Sequence, residues 1–252
     1  NGGGDGAADT VTVNATSGND HITVASSGAS VVVSGLSAQV TIDGAEAAND
    51  TLVIHGLGGN DSIDASGLAA GLINLTIDAG DGNDVILGSH GNDTVIGVFG
   101  GRSLNTLVGD AGTMSGDAHG GNDTLAAFQT NQDGSAVLYG DALGMTDRAQ
   151  GGNDDLTFTI GSDAQNGGGG LYGDAGGLAG DARGGNDTLT VLDLSGHLNY
   201  ESFTMIGDAV AKIQSSSVKK VEVIERVNDP VILNTIQEDG VFNYEQALLK
   251  IY

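Results

Sequence analysis

The segment Gly109–Leu125 reads GDAGTMSGDAHGGNDTL, and closely similar segments follow at Gly140–Leu156 and Gly173–Leu189. In all three, 13 residues separate the first aspartate from the aspartate of the Asn-Asp pair. The stretches that join the segments differ in length. A repeat of this size predicts stacked supersecondary units. The constant part predicts a structured turn, and the variable parts predict solvent loops at 129–135, 162–169 and 195–202.

Short runs of apolar and β-branched residues separate the glycine-rich turns. Their length suits strands and is too short for helices. We predict strands at 11–13, 21–24, 31–33, 40–42, 51–54, 73–77, 85–87, 94–98, 124–128, 136–139, 156–160, 188–192 and 203–206. Two strands and two turns per repeat predict an all-β, two-sided parallel solenoid whose coils bury their aliphatic side chains against one another. An apolar residue in each constant segment is expected to point inward, at Met114, Met145 and Leu178.

The repeat pattern and the composition divide the chain into three regions. Residues 1–98 predict an irregular β-solenoid, and residues 99–209 predict regular coils of 31–34 residues. After residue 210 glycine nearly vanishes, and five of the eight basic residues lie there. We predict that 210–252 is a C-terminal cap or the start of a further module, with strand at 218–227 and a short helix at 244–251.

The charge of the chain restricts its partners. It has 33 acidic and 8 basic residues, which gives a net charge of −25. This excludes nucleic acid and anionic membrane surfaces as electrostatically favoured partners and favours cations. Aspartate outnumbers glutamate 27 to 6, which indicates short carboxylates placed at turns. The absence of cysteine excludes disulfides and thiolate metal sites, and no apolar run is long enough for membrane insertion.

Aspartates recur in three motifs that are suited to calcium. Calcium binds six to eight oxygens, and glycine turns expose main-chain carbonyls beside the carboxylate. Unneutralised aspartates stacked about 5 Å apart would repel one another and oppose folding. A lone Asn-Asp is more simply an Asx turn, but recurrence favours calcium. The candidate ligands from Asn-Asp pairs are Asp20, Asp50, Asp61, Asp84, Asp93, Asp123, Asp154 and Asp187.

The other two motifs leave alternatives open. The Gly-Asp-Ala aspartates are either ligands or caps of backbone N–H groups; these are Asp110, Asp141, Asp174 and Asp208. Within the constant segments, Asp117, Asp147 and Asp181 are further candidates. The middle segment shifts its acid by one place and carries Arg148 where the others carry aspartate. That site is therefore expected to differ or to be lost.

Three segments resemble the calcium-binding nonapeptide of the RTX, or haemolysin-type, repeat family. They read GLGGNDSI at Gly56–Ile63, AGDGNDVI at Ala79–Ile86 and GSHGNDTV at Gly88–Val95. The resemblance implies a right-handed parallel β-roll with several calcium ions between successive turns, bound by Asp61, Asp84 and Asp93. It also implies a secreted or cell-surface bacterial protein, here expected to be exported without a cleaved N-terminal signal. Leu57, Ala79 and Ser89 replace family glycines, and the close resemblance covers only about residues 56–96.

The sequence offers no catalytic constellation. The histidines are scattered, and there is neither a nucleophile elbow nor a phosphate loop; the run Gly167–Gly170 predicts a flexible loop. Tyr139 with Tyr172, and Phe128 with Phe158, are expected to stack in the core one coil apart, although a sugar-binding platform is an alternative. Asn228-Asp229-Pro230 predicts a strand-ending turn, while the resemblance suggests a self-cleaving bond as the alternative.

The function predicted from the sequence is non-catalytic. We expect a calcium-stabilised solenoid that serves as a stalk, adhesin, surface-layer component or filament subunit. Its partners would be calcium ions and, beyond them, further copies joined end to end, other surface proteins or polysaccharide. One alternative is a folding and secretion appendage of a larger secreted enzyme. Another is a polysaccharide-active β-helix, for which the few basic residues of the solenoid body are unfavourable.

Overall fold

The computed structural model describes residues 4–99, 103–130, 134–161, 168–193, 220–227 and 229–234. Over these residues the protein is all-β, and no helix that could cross a membrane is present among them. The strands are β1 (Thr10–Asn14), β2 (His21–Ser27), β3 (Ser30–Ser34), β4 (Val40–Ile42), β5 (Thr51–His55), β6 (Ser62–Gly67), β7 (Asn74–Asp78), β8 (Val85–Leu87), β9 (Asp93–Phe99), β10 (Leu104–Val108), β11 (Ala111–Met114), β12 (Thr124–Gln129), β13 (Ser135–Tyr139), β14 (Ala142–Met145), β15 (Asp155–Ile160), β16 (Gly168–Tyr172), β17 (Thr188–Asp193), β18 (Lys220–Val227) and β19 (Asp229–Asn234).

Two large sheets, mostly parallel, contain most of these strands. Sheet A has the order β1-β5-β7-β9-β12-β15-β17-β18-β19, and sheet B has the order β16-β13-β10-β8-β6-β2-β3-β4. From β5 to β10 the chain moves to the other sheet at every strand. Each return places a strand parallel to, and in register with, its predecessor in the same sheet. The prediction of an all-β, mostly parallel fold is therefore confirmed.

The core lies between the inward faces of sheets A and B. Alternate side chains of each strand point inward, as in β15, where Leu156, Phe158 and Ile160 are buried. Pairing in register stacks like residues, so that Leu125, Leu156 and Leu189 form one row. Each buried leucine contributes roughly 1.5–3 kcal/mol relative to exposure. A period-2 pattern repeated in every coil thus builds one continuous core.

The constant segments form lobes with a third strand, which the prediction of two strands per repeat missed. We call residues 110–122, 141–153 and 174–186 the lobes. β11 and β14 pair in parallel, and bridges extend this pairing to Ala175 and Leu178. A second hydrophobic cluster fills the lobes, with Met114 and Met145 buried and Leu178 packed against them. The expectation that these three residues point inward is confirmed.

Antiparallel hairpins lie towards both ends of the array. β2, β3 and β4 form a meander at one end of sheet B, and β18 and β19 form a hairpin at one end of sheet A. Of the strand predicted at 218–227, residues 220–227 are confirmed as β18, which pairs in parallel with β17, and 218–219 lie outside the described residues. Asp229 and Pro230 begin β19, which pairs antiparallel with β18. The predicted strand at 203–206 and helix at 244–251 lie outside the described residues.

Two expectations are wrong for reasons of packing. The expected loop Gly167–Gly170 instead leads into β16, which pairs with β13. A Cβ at Gly169 would lie 2.4 Å from the ring of Phe158, so glycine is needed there for close packing. Phe128 does not stack on Phe158, because it pairs with Thr159 and faces outward. Phe158 instead lies 5.8 Å from the ring of Phe99.

Tyr139 and Tyr172 do stack one coil apart, with ring centroids 4.7 Å apart. They alternate with the buried Leu138 and Leu171, so both rings lie on the outward face of sheet B and are half-buried. The pair is thus a surface ladder that supports coil stacking and not part of the core.

Leu57 stands where the nonapeptide family has glycine, and its backbone explains that preference. Its φ is 70°, a left-handed conformation that costs a side-chain-bearing residue roughly 1–2 kcal/mol. The stacked position in the next coil is Gly80, with φ of 83°. The left-handed backbone is therefore kept at this position in both coils, with leucine in one and glycine in the next.

Candidate metal centre

The Asn-Asp aspartates form two separate files, not the one series that the sequence suggested. Those that precede strands of sheet B stack as the sheet-B file, which Asn105 continues: Asp20, Asp61 and Asp84. Those that precede strands of sheet A stack as the sheet-A file: Asp93, Asp123, Asp154 and Asp187. Asp50 also precedes a strand of sheet A, β5, but it is out of register with Asp93 and lies outside the file; its Oδ1 accepts the backbone N–H of Asp9. The dipeptide marks the start of a strand, and both sheets use the same start.

Each file is joined by one repeated hydrogen bond. The backbone N–H of one aspartate donates to Oδ1 of the aspartate in the next coil, as from Asp61 to Asp84 at 2.9 Å and from Asp123 to Asp154 at 2.8 Å. The aspartate therefore holds successive coils together with one oxygen. Its second oxygen, Oδ2, remains for another partner.

The asparagines of successive pairs form a second hydrogen-bonded ladder beside the aspartates, a role that the sequence motif did not predict. The backbone N–H of each asparagine donates to the side-chain Oδ1 of the asparagine one coil earlier. These ladders are exposed and run through Asn19, Asn60 and Asn83 on one side and Asn92, Asn122, Asn153 and Asn186 on the other. The Asn-Asp pair therefore hydrogen-bonds to both neighbours, the asparagine N–H to the coil before it and the aspartate N–H to the coil after it.

Three of the predicted ligands are satisfied by the protein itself. Oδ2 of Asp20 accepts from the N–H and the hydroxyl of Thr16, and Oδ2 of Asp50 accepts from the N–H of Glu46. Asp93 accepts from both the N–H and the hydroxyl of Ser89. In each case the donor lies four residues earlier. These aspartates behave as the simple turn residues that were the alternative interpretation.

Other predicted ligands have a buried oxygen that lacks a hydrogen-bond donor. Oδ2 is buried and without a hydrogen-bond partner in Asp61, Asp84, Asp123, Asp141, Asp154 and Asp187. Leaving a buried polar atom unsatisfied costs about 1–3 kcal/mol, and more when it is charged. None of the five Asn-Asp aspartates in this set has Ser or Thr four residues earlier. A hydroxyl at that position, visible in the sequence, distinguishes Asp20 and Asp93 from them, whereas Asp50 receives from that position only the backbone N–H of Glu46.

Glycine carbonyls lie beside these oxygens. A Cβ built on Gly109 would lie 1.8 Å from the carbonyl oxygen of Gly140 and 2.1 Å from Oδ2 of Asp123. One built on Gly140 would lie 1.6 Å from the carbonyl oxygen of Gly173 and 2.2 Å from Oδ2 of Asp154. Only glycine fits here, and its absent side chain leaves carboxylate and carbonyl oxygens close together. Oxygens of both kinds are the ligands that calcium prefers.

The Gly-Asp-Ala aspartates form a third file, the lobe file, made of Asp110, Asp141 and Asp174. All three are buried. Gly121 N–H donates to Asp110 at 3.1 Å and Gly152 N–H donates to Asp141 at 2.7 Å. Each carboxylate thus closes its own lobe from 11 residues away. The capping role left open by the sequence is present, and it uses only part of each carboxylate.

Burial makes these carboxyls hard to ionise. Loss of hydration raises the pKa of Asp84 and Asp93 from 3.8 to about 6. The same cause raises the pKa of Asp110, Asp123 and Asp154, and neighbouring aspartates raise it further. Among the described residues, no Lys, Arg or His forms an ion pair with these carboxylates. The negative charges of the files lack a protein counter-charge in this part of the chain.

The third motif is placed differently, on the exposed tips of the lobes. Asp117 forms a two-pronged ion pair with Arg148 of the next coil, at 2.6 and 2.7 Å, which lowers the pKa of Asp117. Asp147 has φ of 61° and takes the left-handed position that Gly116 and Gly180 occupy in the other lobes. Asp181 is exposed. The shifted acid of the middle segment therefore puts Arg148 in the place of an aspartate.

Asp208 lies outside the described residues. Within those residues, no three His, Cys, Asp or Glu side chains are arranged to hold one metal ion. A cation at these files would thus need main-chain carbonyls in addition to one or two carboxylates. Comparison of the chain with protein-family models, curated proteins and solved structures found no match.

Proposed function

We propose that this chain is a non-catalytic, calcium-stabilised β-solenoid module of a secreted or cell-surface protein. In this proposal the two sheets are the faces of a right-handed parallel solenoid, and residues 210–252 cap it. The observation that carries the proposal is the set of buried aspartate oxygens without a donor, which lie beside glycine carbonyls and have no basic partner in the part of the chain that the structure describes.

The chemistry of the site suits calcium better than other ions. All available ligand atoms are oxygens, which excludes sites that depend on sulfur or imidazole. Calcium tolerates irregular sets of six to eight oxygens, whereas magnesium requires near-ideal octahedral geometry. Asp61, Asp84, Asp123, Asp154 and Asp187 would hold the ions. A bound ion would supply the positive charge that the files lack.

The arrangement supports a structural role over a catalytic one. The carboxyls of raised pKa lie between stacked coils, where each Oδ1 accepts a backbone N–H from the neighbouring coil. The ionisation of these carboxyls therefore affects how stably neighbouring coils stack. Extracellular calcium modules bind at about 10⁻⁴–10⁻³ M, so a secreted solenoid would fold on reaching external calcium. This also fits the expectation of a bacterial stalk, adhesin or filament.

Circular dichroism with and without calcium tests the proposal. We expect a weak β signal in EDTA at pH 7.5 and a cooperative gain of signal in millimolar calcium, because an ion that binds only the folded state stabilises it by mass action. The same concentration of magnesium is the control and should restore little. Identical spectra and melting temperatures in EDTA and in calcium would refute the proposal.

A further inference from the structure

The lobed coils bury two aspartates each, whereas the sheet-B nonapeptide turns bury one. The buried aspartates of those turns are Asp61 and Asp84, and Asp81 beside Asp84 is exposed. In the lobed coils an aspartate of the sheet-A file lies beside an aspartate of the lobe file. We call these six residues the double row: Asp110, Asp123, Asp141, Asp154, Asp174 and Asp187. Asp123, Asp154 and Asp187 share the Gly-Asn-Asp-x-aliphatic core of the nonapeptide, whereas the three lobe-file aspartates lie outside that resemblance.

Inside the double row, each of two lobe glycines lies against carboxylate oxygens of two successive coils. A Cβ built on Gly120 would lie 1.9 Å from Oδ1 of Asp141 and 2.7 Å from Oδ2 of Asp110. A Cβ built on Gly151 would lie 2.4 Å from both Oδ2 of Asp141 and Oδ1 of Asp174. The carboxylate of Asp141 therefore faces the coil before it and the coil after it.

Backbone N–H donors satisfy only part of the double row, and among the described residues no basic side chain forms an ion pair with it. Oδ2 of Asp123, Asp141 and Asp154 is buried without a hydrogen-bond partner, and these residues are at most 2% exposed. Asp154 and Asp141 repel each other, as do Asp123 and Asp110. Buried like charges of this kind require a counter-ion or protonation.

One coil shows how the row begins. Backbone pairing stacks Gly88 below Gly109 and Gly109 below Gly140, which places Ser89 at the position of Asp110 and Asp141. Ser89 donates both its N–H and its hydroxyl to Asp93. The coil of Asp93 therefore has a hydrogen-bond donor where the lobed coils have a second acid. The double row starts at Asp110.

We propose that the double row is a second class of calcium site, in which ions lie between successive lobed coils and take carboxylate oxygens from both. This inference rests on the proposed function, because it assumes that the chain binds calcium. It adds that the lobes bind ions of their own, separate from those of the Asp61 and Asp84 turns. Asp141, with neighbours on both sides, would contribute to more ions than Asp110 at the end of the row.

Counting bound calcium tests the inference. The protein is stripped with chelator, refolded with calcium and examined by native mass spectrometry and equilibrium dialysis. The variants are Asp141→Asn, Asp110→Asn and Asp84→Asn, with Asp155→Asn, an exposed acid beside the row, as the control. We expect D141N to lose more than one ion, D110N to lose fewer than D141N, D84N to lose ions while retaining those of the row, and D155N to lose none.

The outcomes separate this inference from the proposed function. If D141N and D110N bind as many ions as the wild type while D84N loses ions, the lobe-file aspartates bind no calcium and the inference is overturned, although the proposed function stands. If the wild type binds no calcium, both fall. If D141N does not fold at high calcium, the ion count of D110N decides, since that variant changes only the end of the row.

Discussion

Asp154 illustrates what one buried carboxylate does in this protein. Its Oδ1 accepts the N–H of Asp123, its own N–H donates to Asp187, and its Oδ2 is buried beside the carbonyl of Gly173. One oxygen contributes to folding in any condition, while the other is unfavourable unless a cation or proton neutralises it. A single residue can thus stabilise or destabilise the fold, depending on calcium.

Replacing Asp154 with asparagine should stabilise the fold in chelator and destabilise it in calcium. Asparagine retains the Oδ1 acceptor and removes the charge, as Asn105 already does in the sheet-B file. Without calcium, removing a like charge about 5 Å from its neighbours should stabilise the fold by about 1–3 kcal/mol. With calcium, losing a ligand should destabilise it by a similar amount. Thermal melting in EDTA and in calcium, with trimethylamine N-oxide in both to bring the calcium-free fold into range, measures the two effects.

Asp155→Asn is the matched control for this prediction. Asp155 is the next residue along the chain and is exposed at the start of β15. Its replacement should change the melting temperature little in either condition, as for most surface positions. If D154N shifted stability in the same direction with and without calcium, Oδ2 of Asp154 would not be a cation ligand.

At the scale of elements, the lobes depend on glycines whose missing side chains leave room for the carboxylates. We predict that Gly151→Ala raises the calcium midpoint of folding about tenfold, which corresponds to about 1.4 kcal/mol. The added methyl group would displace Asp141 and Asp174 together, 2.4 Å from an oxygen of each. A calcium titration followed by circular dichroism measures the midpoint.

Gly177→Ala controls for the loss of a lobe glycine as such. A Cβ at Gly177 meets nothing within 4 Å, and its φ is not in the left-handed region. Its midpoint should stay at the wild-type value. Equal shifts in both variants would mean that glycine content, not the space around Asp141, sets the calcium dependence.

The sequence predicts the strands more securely than their grouping. Period-2 patterns and turn residues located most strands, because burial on one face imposes that pattern. The segment that became β16 was missed because its glycines look like a loop, whereas Gly169 is needed for close packing against Phe158 and Ala136, a contact distant in sequence. The short strand β11 was missed because it packs in the lobe's own small hydrophobic core, which the local sequence pattern does not indicate.

The aspartate motifs located the candidate site, but they did not predict how the aspartates divide into the sheet-A, sheet-B and lobe files. Asn-Asp pairs look alike before a strand of either sheet, so the division into two files depends on which strands stack. The distinction between capped and donor-free aspartates could have been made in part from the sequence. Thr16 and Ser89 place a hydroxyl donor four residues before a capped aspartate, whereas Glu46 supplies only a backbone N–H, which any residue other than proline has. The two-acid arrangement of the lobes required the fold itself.

At the scale of the whole molecule, the files couple stability to pH as well as to calcium. Burial raises the pKa of Asp84 and Asp93 from 3.8 to about 6, and the pKa of Asp110, Asp123 and Asp154 is raised as well. The calcium-free folded state therefore binds more protons than the unfolded state across this range. The associated stability is fully present below pH 3.8 and is lost as the pH rises through the folded-state values.

We predict that, in EDTA with trimethylamine N-oxide to bring the calcium-free fold into range, the protein melts at a markedly higher temperature at pH 5 than at pH 8. Saturating calcium should remove most of this difference by replacing protons. Melting followed by circular dichroism across this pH range measures both curves. The net charge of −25 would also favour acid, because protonation relieves repulsion across the surface. Salt separates the two causes, since ions screen exposed charges far more than buried ones. If the pH dependence in EDTA disappeared in 0.5 M sodium chloride, surface repulsion would explain it; its persistence would locate the protons in the buried files.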